Sequence, residues 1–483
     1  MKILYHPLAL GFALLALGFA VCSACGYIIF NENVSNWLPC ILMPMILAFI
    51  CLKCHQHQNK QPVFRRGILL TTGLLWFTTT LLGALPYVLI SNCNFLTGFF
   101  ESVSGLTTTG ASALTSVEDL PRSLLLWRSL SQWFGGLGFI VFFISFLGNA
   151  QPANKKLFVQ ESTFSSDAIS LFNLRKNISD AFRIYLFLTV LCFLSLIYFK
   201  LPYFDAVCHA LTTVSTGGFS IYNEGIPHVH NLNIEIVLMI FMFLGGINFL
   251  FLTRIFSKAG PDIIFNREFR AHLLIMFLVL IGVTTALVRH GQSFGSALFD
   301  GLFQVISIGT TTGFHSCDFS FWMPLPITLL LILTFIGGCS GSTAGGFKVF
   351  RVVALLKIVL DHLEKVFHPN VVRSVRIDKV LWDDKKQLEI LQFFTLTVGL
   401  IVLGTLALQI AMPQLDCLTA LSATIAGISN VGPGLTTSIG PCQTYAFFSG
   451  SAKFIFSILM LLGRLELYAI VALFSKKFWQ KFE

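Results

Sequence analysis

Charge is what this sequence has least of. Lys, Arg, Asp and Glu together make up 11% of the 483 residues, against about a quarter in a soluble globular protein. Only 23 residues are acidic, while 55% are hydrophobic and 50 are phenylalanine. That scarcity excludes an ordinary soluble enzyme and leaves a polytopic membrane protein. Nucleotide chemistry is missing as well. No Walker loop, dinucleotide fingerprint or H-E-x-x-H occurs, so the chain shows no means of hydrolysing a nucleotide. The net charge of +9 comes from basic residues grouped between apolar runs, as in membrane-facing loops, which argues against nucleic acid as a partner. The 12 cysteines are scattered, mostly within apolar runs, and read as small buried hydrophobes rather than a disulfide framework.

What is present is repetition. Apolar runs near 8–30 and 37–54 come first; the first is too long for a signal core of about 7–15 residues and suits a spanning helix. A longer unit then recurs: an apolar span, a half-length amphipathic segment, a Gly/Thr strip and a second span. The first spans lie near 67–90, 182–201, 271–289 and 389–411, and the second near 123–148, 232–256, 322–347 and 448–474. Half-helices near 95–107, 204–215, 296–309 and 415–428 are too short to cross and read as re-entrant. The predicted fold is an all-α polytopic membrane protein. Two N-terminal helices occupy residues 1–66, and four repeats occupy 67–150, 151–260, 261–388 and 389–483. Basic residues such as Lys53, Arg65, Arg66, Lys155, Arg254 and Lys476 then fall on one side with both termini, while the half-helix loops hold only Arg122, Arg128, Lys200, Arg289 and Lys453. The positive-inside rule makes the first side cytoplasmic, and all four strips enter from the outer side.

The strips are Thr107-Thr108-Thr109-Gly110, Ser215-Thr216-Gly217, Thr310-Thr311-Thr312-Gly313 and Asn430-Val431-Gly432. Extended polar backbone inside a membrane is tolerated only where a cavity needs it. Thr97, Asp205, Asp300 and Asp416 stand near the half-helix starts as candidate caps. The negative helix ends then point at the strips and favour a cation, and carbonyls freed by glycine geometry can replace an alkali ion's water. A cation filter built by one chain is the expectation. Within Gly337-Gly338-Cys339-Ser340-Gly341-Ser342-Thr343-Ala344-Gly345-Gly346, five glycines each cost a helix about 1 kcal/mol, so a broken, cavity-lining plug or gate is expected there. Small-residue helix packing is the alternative. Arg464, mid-span, reads as a barrier to cations or as the partner of Glu466. Glu101 adds negative charge behind the filter or bonds a neighbouring loop, and His209 reads as packed and hydrogen-bonded. Cys51-Leu52-Lys53-Cys54-His55 matches the covalent haem pattern; it carries a remote alternative, a membrane redox protein.

Together with Gln132-Trp133-Phe134-Gly135-Gly136-Leu137-Gly138 and Gly463-Arg464-Leu465-Glu466, these residues resemble the Trk/Ktr/HKT superfamily of cation transporters, most nearly its bacterial TrkH/TrkG-type membrane subunits. The resemblance covers essentially the whole chain. It implies a K+ channel or symporter of four M1–pore helix–M2 units in the bacterial cytoplasmic (inner) membrane, not an enzyme. No cofactor is implied, and K+ is the transported ion. Glycine at Gly110, Gly217, Gly313 and Gly432 implies K+ preference, with a Na+-tolerant or Na+-coupled transporter as the alternative. Carbonyls of Thr108, Thr109, Ser215, Thr216, Thr311, Thr312, Asn430 and Val431 would coordinate the ion. The resemblance also implies gating by Gly337–Gly346 with Arg464, a homodimer in membrane lipid, and a cytosolic TrkA-like nucleotide-binding regulatory subunit. The polar segment from Lys348 to Leu388 is the candidate docking surface.

Overall fold

The computed structural model describes residues 4–57, 65–149, 171–255, 266–368, 376–377, 380–381 and 384–465. The described residues are mostly helical. Six helices among the described residues are long and apolar enough to cross a membrane. Helices α1 (Tyr5–Phe30) and α2 (Trp37–Gln56) pack together as a hairpin against the first repeat. Glu32, in the turn between them, accepts the backbone N–H groups of Arg122 and Ser123 at 2.7 and 3.2 Å. Its carboxylate thereby satisfies free amides at the start of α6 (Arg122–Asn149).

Each repeat begins with a long first span. In the first repeat it is split into α3 (Arg65–Gly83) and α4 (Leu85–Ile90), with Pro86 at the start of the second piece. The others are α7 (Leu171–Tyr198), α11 (Arg267–Arg289) and α15 (Asp384–Ala411). Short pore helices follow: α5 (Phe95–Leu106), α8 (Tyr203–Val214), α12 (Phe294–Gly309) and α16 (Cys417–Ser429). Their caps differ from those expected. Asn94 and Ser293 cap the first and third through their side chains, Pro202 starts the second, and only Asp416 takes its expected role. Hydrogen bonds from Thr419 hold the exposed Asp416 carboxyl below its ordinary range. Thr97 instead accepts from Lys453, and Asp205 accepts from the Tyr222 hydroxyl.

The second spans are where the fold departs from a simple helix count. In the second repeat, α9 (Leu232–Gly246) stops and α10 (Phe249–Ile255) restarts, where a continuous span was expected. In the third, α13 (Pro324–Ile336) ends at Gly337 and α14 (Val349–Phe367) resumes after the glycine-rich stretch. In the fourth, α17 (Gly450–Arg464) is followed by residues outside the description. The two breaks satisfy one another. Cys339 donates its N–H to the Gly246 carbonyl, and Phe249 donates to the Gly341 carbonyl, both at 3.1 Å. Buried backbone groups released by ending one helix are thus paired by the other. Arg376–Ile377 and Val380–Leu381 form a small antiparallel pair, the one pair of strands among the described residues.

The repeats close into a ring. α6 packs on both α5 and α8, α9 on α8 and α12, α13 on α12 and α16, and α17 on α16 and α5. Every second span therefore wedges between its own pore helix and the next one, and the last returns to the first.

Candidate functional site

The site begins at the C-terminal end of each pore helix. Thr108, Thr216, Thr311 and Asn430 stand in the left-handed region, with φ of 55, 51, 56 and 54°. In all four cases this residue's N–H bonds the carbonyl three residues back, and the next N–H bonds the carbonyl five residues back. Thr108→Gly105 (3.0 Å) with Thr109→Ser104 (2.9 Å) is one example, and Asn430→Gly427 with Val431→Ala426 another. This is the paired helix stop normally filled by glycine or asparagine. Threonine is β-branched and strained there, at roughly 1–3 kcal/mol per residue. Three strained threonines ending three pore helices point to a use for their hydroxyls.

Two residues further on stands a glycine with positive φ: Gly110, Gly218, Gly313 and Gly432, at 83, 75, 84 and 94°. The second strip thus runs Thr216-Gly217-Gly218, one residue later than Ser215-Thr216-Gly217; Ser215 still belongs to the helix end, with φ −75°. Either of two adjacent glycines satisfies the sequence pattern, and packing selects Gly218. A Cβ added at Gly110 would collide with the Gly217 carbonyl. One at Gly218 would meet Thr312 O, one at Gly313 would meet Val431 O, and one at Gly432 would meet Thr109 O, all inside 3.0 Å. Those contacts run from strip one to two, three, four and back to one. The carbonyls of Thr109, Gly217, Thr312 and Val431 therefore crowd a single ring at the convergence of four negative helix ends.

Buried side chains hold the ring from behind. Glu101 accepts from the Ala113 N–H (2.6 Å) and the Ser112 hydroxyl (2.8 Å) and pairs with Arg128 at 3.3 Å. Arg128 also donates to the Ser220 carbonyl and lies over the Phe219 ring. Both members are buried, so Glu101 serves as a structural anchor. His209 is buried with Nδ1 on the Asp205 carbonyl at 2.8 Å. Asn430 donates to Thr109 Oγ1 (3.0 Å) across 321 residues of sequence, and also to the Met460 carbonyl.

Directly against the helix-end side of the ring lies the glycine-rich segment. Gly345 donates its N–H to Thr311 Oγ1 at 2.7 Å, and the Thr343 and Thr216 hydroxyls are 3.1 Å apart. Thr343 Oγ1 also bonds the Val214 and Gly245 carbonyls, while a Cβ at Gly345 would strike the Ser429 carbonyl. Arg464 donates Nη1 to the Thr343 carbonyl (2.8 Å) and Nη2 to the Gly135 carbonyl (3.0 Å). It thus ties the segment to α6. Lys348 Nζ reaches the Ala344 carbonyl at 2.6 Å. A cavity on the far side of the segment is lined by Gly341, Gly345, Lys348, Arg351, Asn430 and Arg464. Glu466, the alternative partner for Arg464, lies outside the described residues.

Two participants escaped the sequence reading. Glu268 accepts the Ser340 N–H at 2.6 Å and anchors the glycine-rich segment from α11. The other is a paired-glycine register: Gly135-Gly136, Gly245-Gly246, Gly337-Gly338 and Gly463-Arg464 recur in the four second spans. Cβ atoms at Gly135 and Gly463 would strike the Leu106 and Ile428 carbonyls at pore-helix ends. That repeat was available as a signal, and it shows Arg464 standing where the other copies carry glycine.

The family model for TrkH, a cation transport protein, matches residues 41–482. The chain belongs to the TrkH family. It is 33% identical to the Trk system potassium uptake protein TrkI of Halomonas elongata, over 85% of this chain and 83% of that protein. Against TrkH of Escherichia coli K12 it is 31% identical, over 86% of each. Against TrkG of the same strain the figure is 30%, over 94% of this chain and 97% of TrkG. The crystal structure of the potassium transporter TrkH from Vibrio parahaemolyticus superposes with a TM-score of 0.87 at 26% identity, covering 99% of both chains. Membership in a family of transporters, not enzymes, leaves the redox reading of Cys51, Cys54 and His55 without support. Those residues sit in the last two turns of α2, with Cys54 and His55 exposed.

Proposed function

We propose that this chain takes up K+ through the four-strip ring. The observation that carries the reading is the closed cycle of glycine-to-carbonyl contacts, which gathers four strips into one ring within a single chain. Ligands would be the carbonyls of Thr108, Thr109, Thr216, Gly217, Thr311, Thr312, Asn430 and Val431. Because carbonyls replace the hydration shell of an alkali ion, the ion crosses without leaving a polar environment. The positive-inside distribution orients the strips outward and both termini inward, which suits uptake across the bacterial inner membrane.

In this reading Gly337–Gly346 is the gate and Arg464 its lock. A guanidinium held against the plug presents positive charge on the ion's exit path, where low dielectric magnifies repulsion. Opening then requires Arg464 and the plug to move together. A homodimer and a cytosolic TrkA-like subunit complete the proposal, since the relatives are named as parts of a Trk system; the polar segment following Lys348 offers the docking face. Growth rescue at low K+ in a strain lacking its own uptake, with a matched regulatory subunit, tests the function. Rescue is expected; membrane-inserted protein that neither rescues growth nor passes Rb+ in liposomes overturns it.

A further inference from the structure

Gln132 opens the Gln132–Gly138 motif. It lies on α6 of the first repeat, fully buried, facing the second repeat's strip. Its Nε2 donates to the Gly217 carbonyl at 2.7 Å, and its Oε1 accepts the Phe219 N–H at 3.1 Å. The amide orientation follows from the network, because a backbone N–H requires an acceptor and a carbonyl a donor. One side chain thus brackets Gly217-Gly218-Phe219 as a neighbouring strand would. The bracketed Gly217 carbonyl is one of the four ring carbonyls.

The second strip is also the only one with glycine at this position; the others carry Thr109, Thr312 and Val431. Thr109 and Thr312 brace themselves through hydroxyl contacts with Thr107 and Thr310, at 2.7 and 2.8 Å. Gly217 has no side chain to do so, and a Cβ there would collide with the Gln132 amide. Counted back from the paired glycines, the positions equivalent to Gln132 are Met242, Thr334 and Met460. Only the repeat facing the double glycine supplies an amide.

We infer that Gln132 is a specificity-determining positioning residue, an external replacement for the side chain that the second strip lacks. It fixes the Gly217 carbonyl so that the ring keeps four matched ligands. The inference rests on the ring being the filter, and the test separates the two. Purified full-length protein in liposomes is assayed for Rb+ uptake against competing Na+. Gln132→Ala and Gln132→Met, the latter using the residue native to two other repeats, should keep flux while the K+-over-Na+ preference falls about 2–10-fold, the effect of losing one hydrogen bond. Gly217→Thr alone should lose flux, because its side chain collides with Gln132. The double variant Gln132→Ala/Gly217→Thr recreates a self-braced Thr-Thr-Gly strip and should recover both flux and preference, a coupling opposite to additivity. Unchanged preference in both Gln132 variants, or a double variant no better than Gly217→Thr, overturns the inference. If Gly110→Ser still relaxes selectivity in the same assay, the filter reading survives that result. If Gly110→Ser changes nothing either, both fall.

Discussion

At the scale of single residues, the site depends on backbone conformations that its side chains resist. Gly110 combines a φ of 83° with a close approach to the Gly217 carbonyl. Gly110→Ser should therefore displace a ring carbonyl and reduce K+ preference over Na+, read as stronger Na+ competition with Rb+ uptake. Unaltered competition would remove the first strip from the filter. The Glu101–Arg128 pair makes a different demand, since both groups are buried. Arg128→Met leaves the carboxylate without its cation and should destabilise the protein by about 3–5 kcal/mol, measured by thermal unfolding in detergent. Adding Glu101→Gln should return part of that loss.

At the scale of elements, the second spans and the plug behave as one interlocked unit. The glycine-rich segment exchanges hydrogen bonds with α9, α11, α17 and two strips, so its placement depends on all of them. Thr311→Val keeps the shape but removes the acceptor for the Gly345 N–H, weakening closure by about 0.5–1.5 kcal/mol. Basal Rb+ leak without a regulatory subunit should rise several-fold, while thermal stability changes little. Arg464→Ala should leak more, because it removes both the tether to Thr343 and the charge. Loss of folding with no leak would instead assign Arg464 a structural role. The pore helices themselves were legible in the sequence: the first was expected over 95–107 and runs Phe95–Leu106. Half-length amphipathic segments followed by Thr/Gly are local signals. The break in α9 was not legible, because its freed carbonyl is satisfied by Cys339, nearly a hundred residues downstream.

At the scale of the molecule, one chain encloses one ring, closed where Asn430 of the last repeat reaches Thr109 of the first. If two such chains pair, each should carry its own pore. Liposomes holding mixtures of wild-type and Arg464→Ala protein should then show basal leak rising in proportion to the variant fraction. A disproportionate rise would mean that the pathway is shared between subunits. The four repeats are unequal around this ring. The residue seven before each left-handed position is Glu101, His209, Gln304 or Ala423, so the chemistry at this position differs in every quarter.

The sequence by itself determined the membrane class, the repeat unit, the pore-helix positions and the strips. These depend on local requirements: apolar length, amphipathic period, and residues that accept unusual backbone angles. Tertiary structure alone decided that Gly218 rather than Gly217 carries the turn, that the strips close in cyclic order, and that Glu268 and Arg464 hold the glycine-rich segment. It also decided that Gln132 braces a strip 85 residues away. Such partnerships are set by which buried donors and acceptors packing brings within about 3 Å, and no local pattern records them.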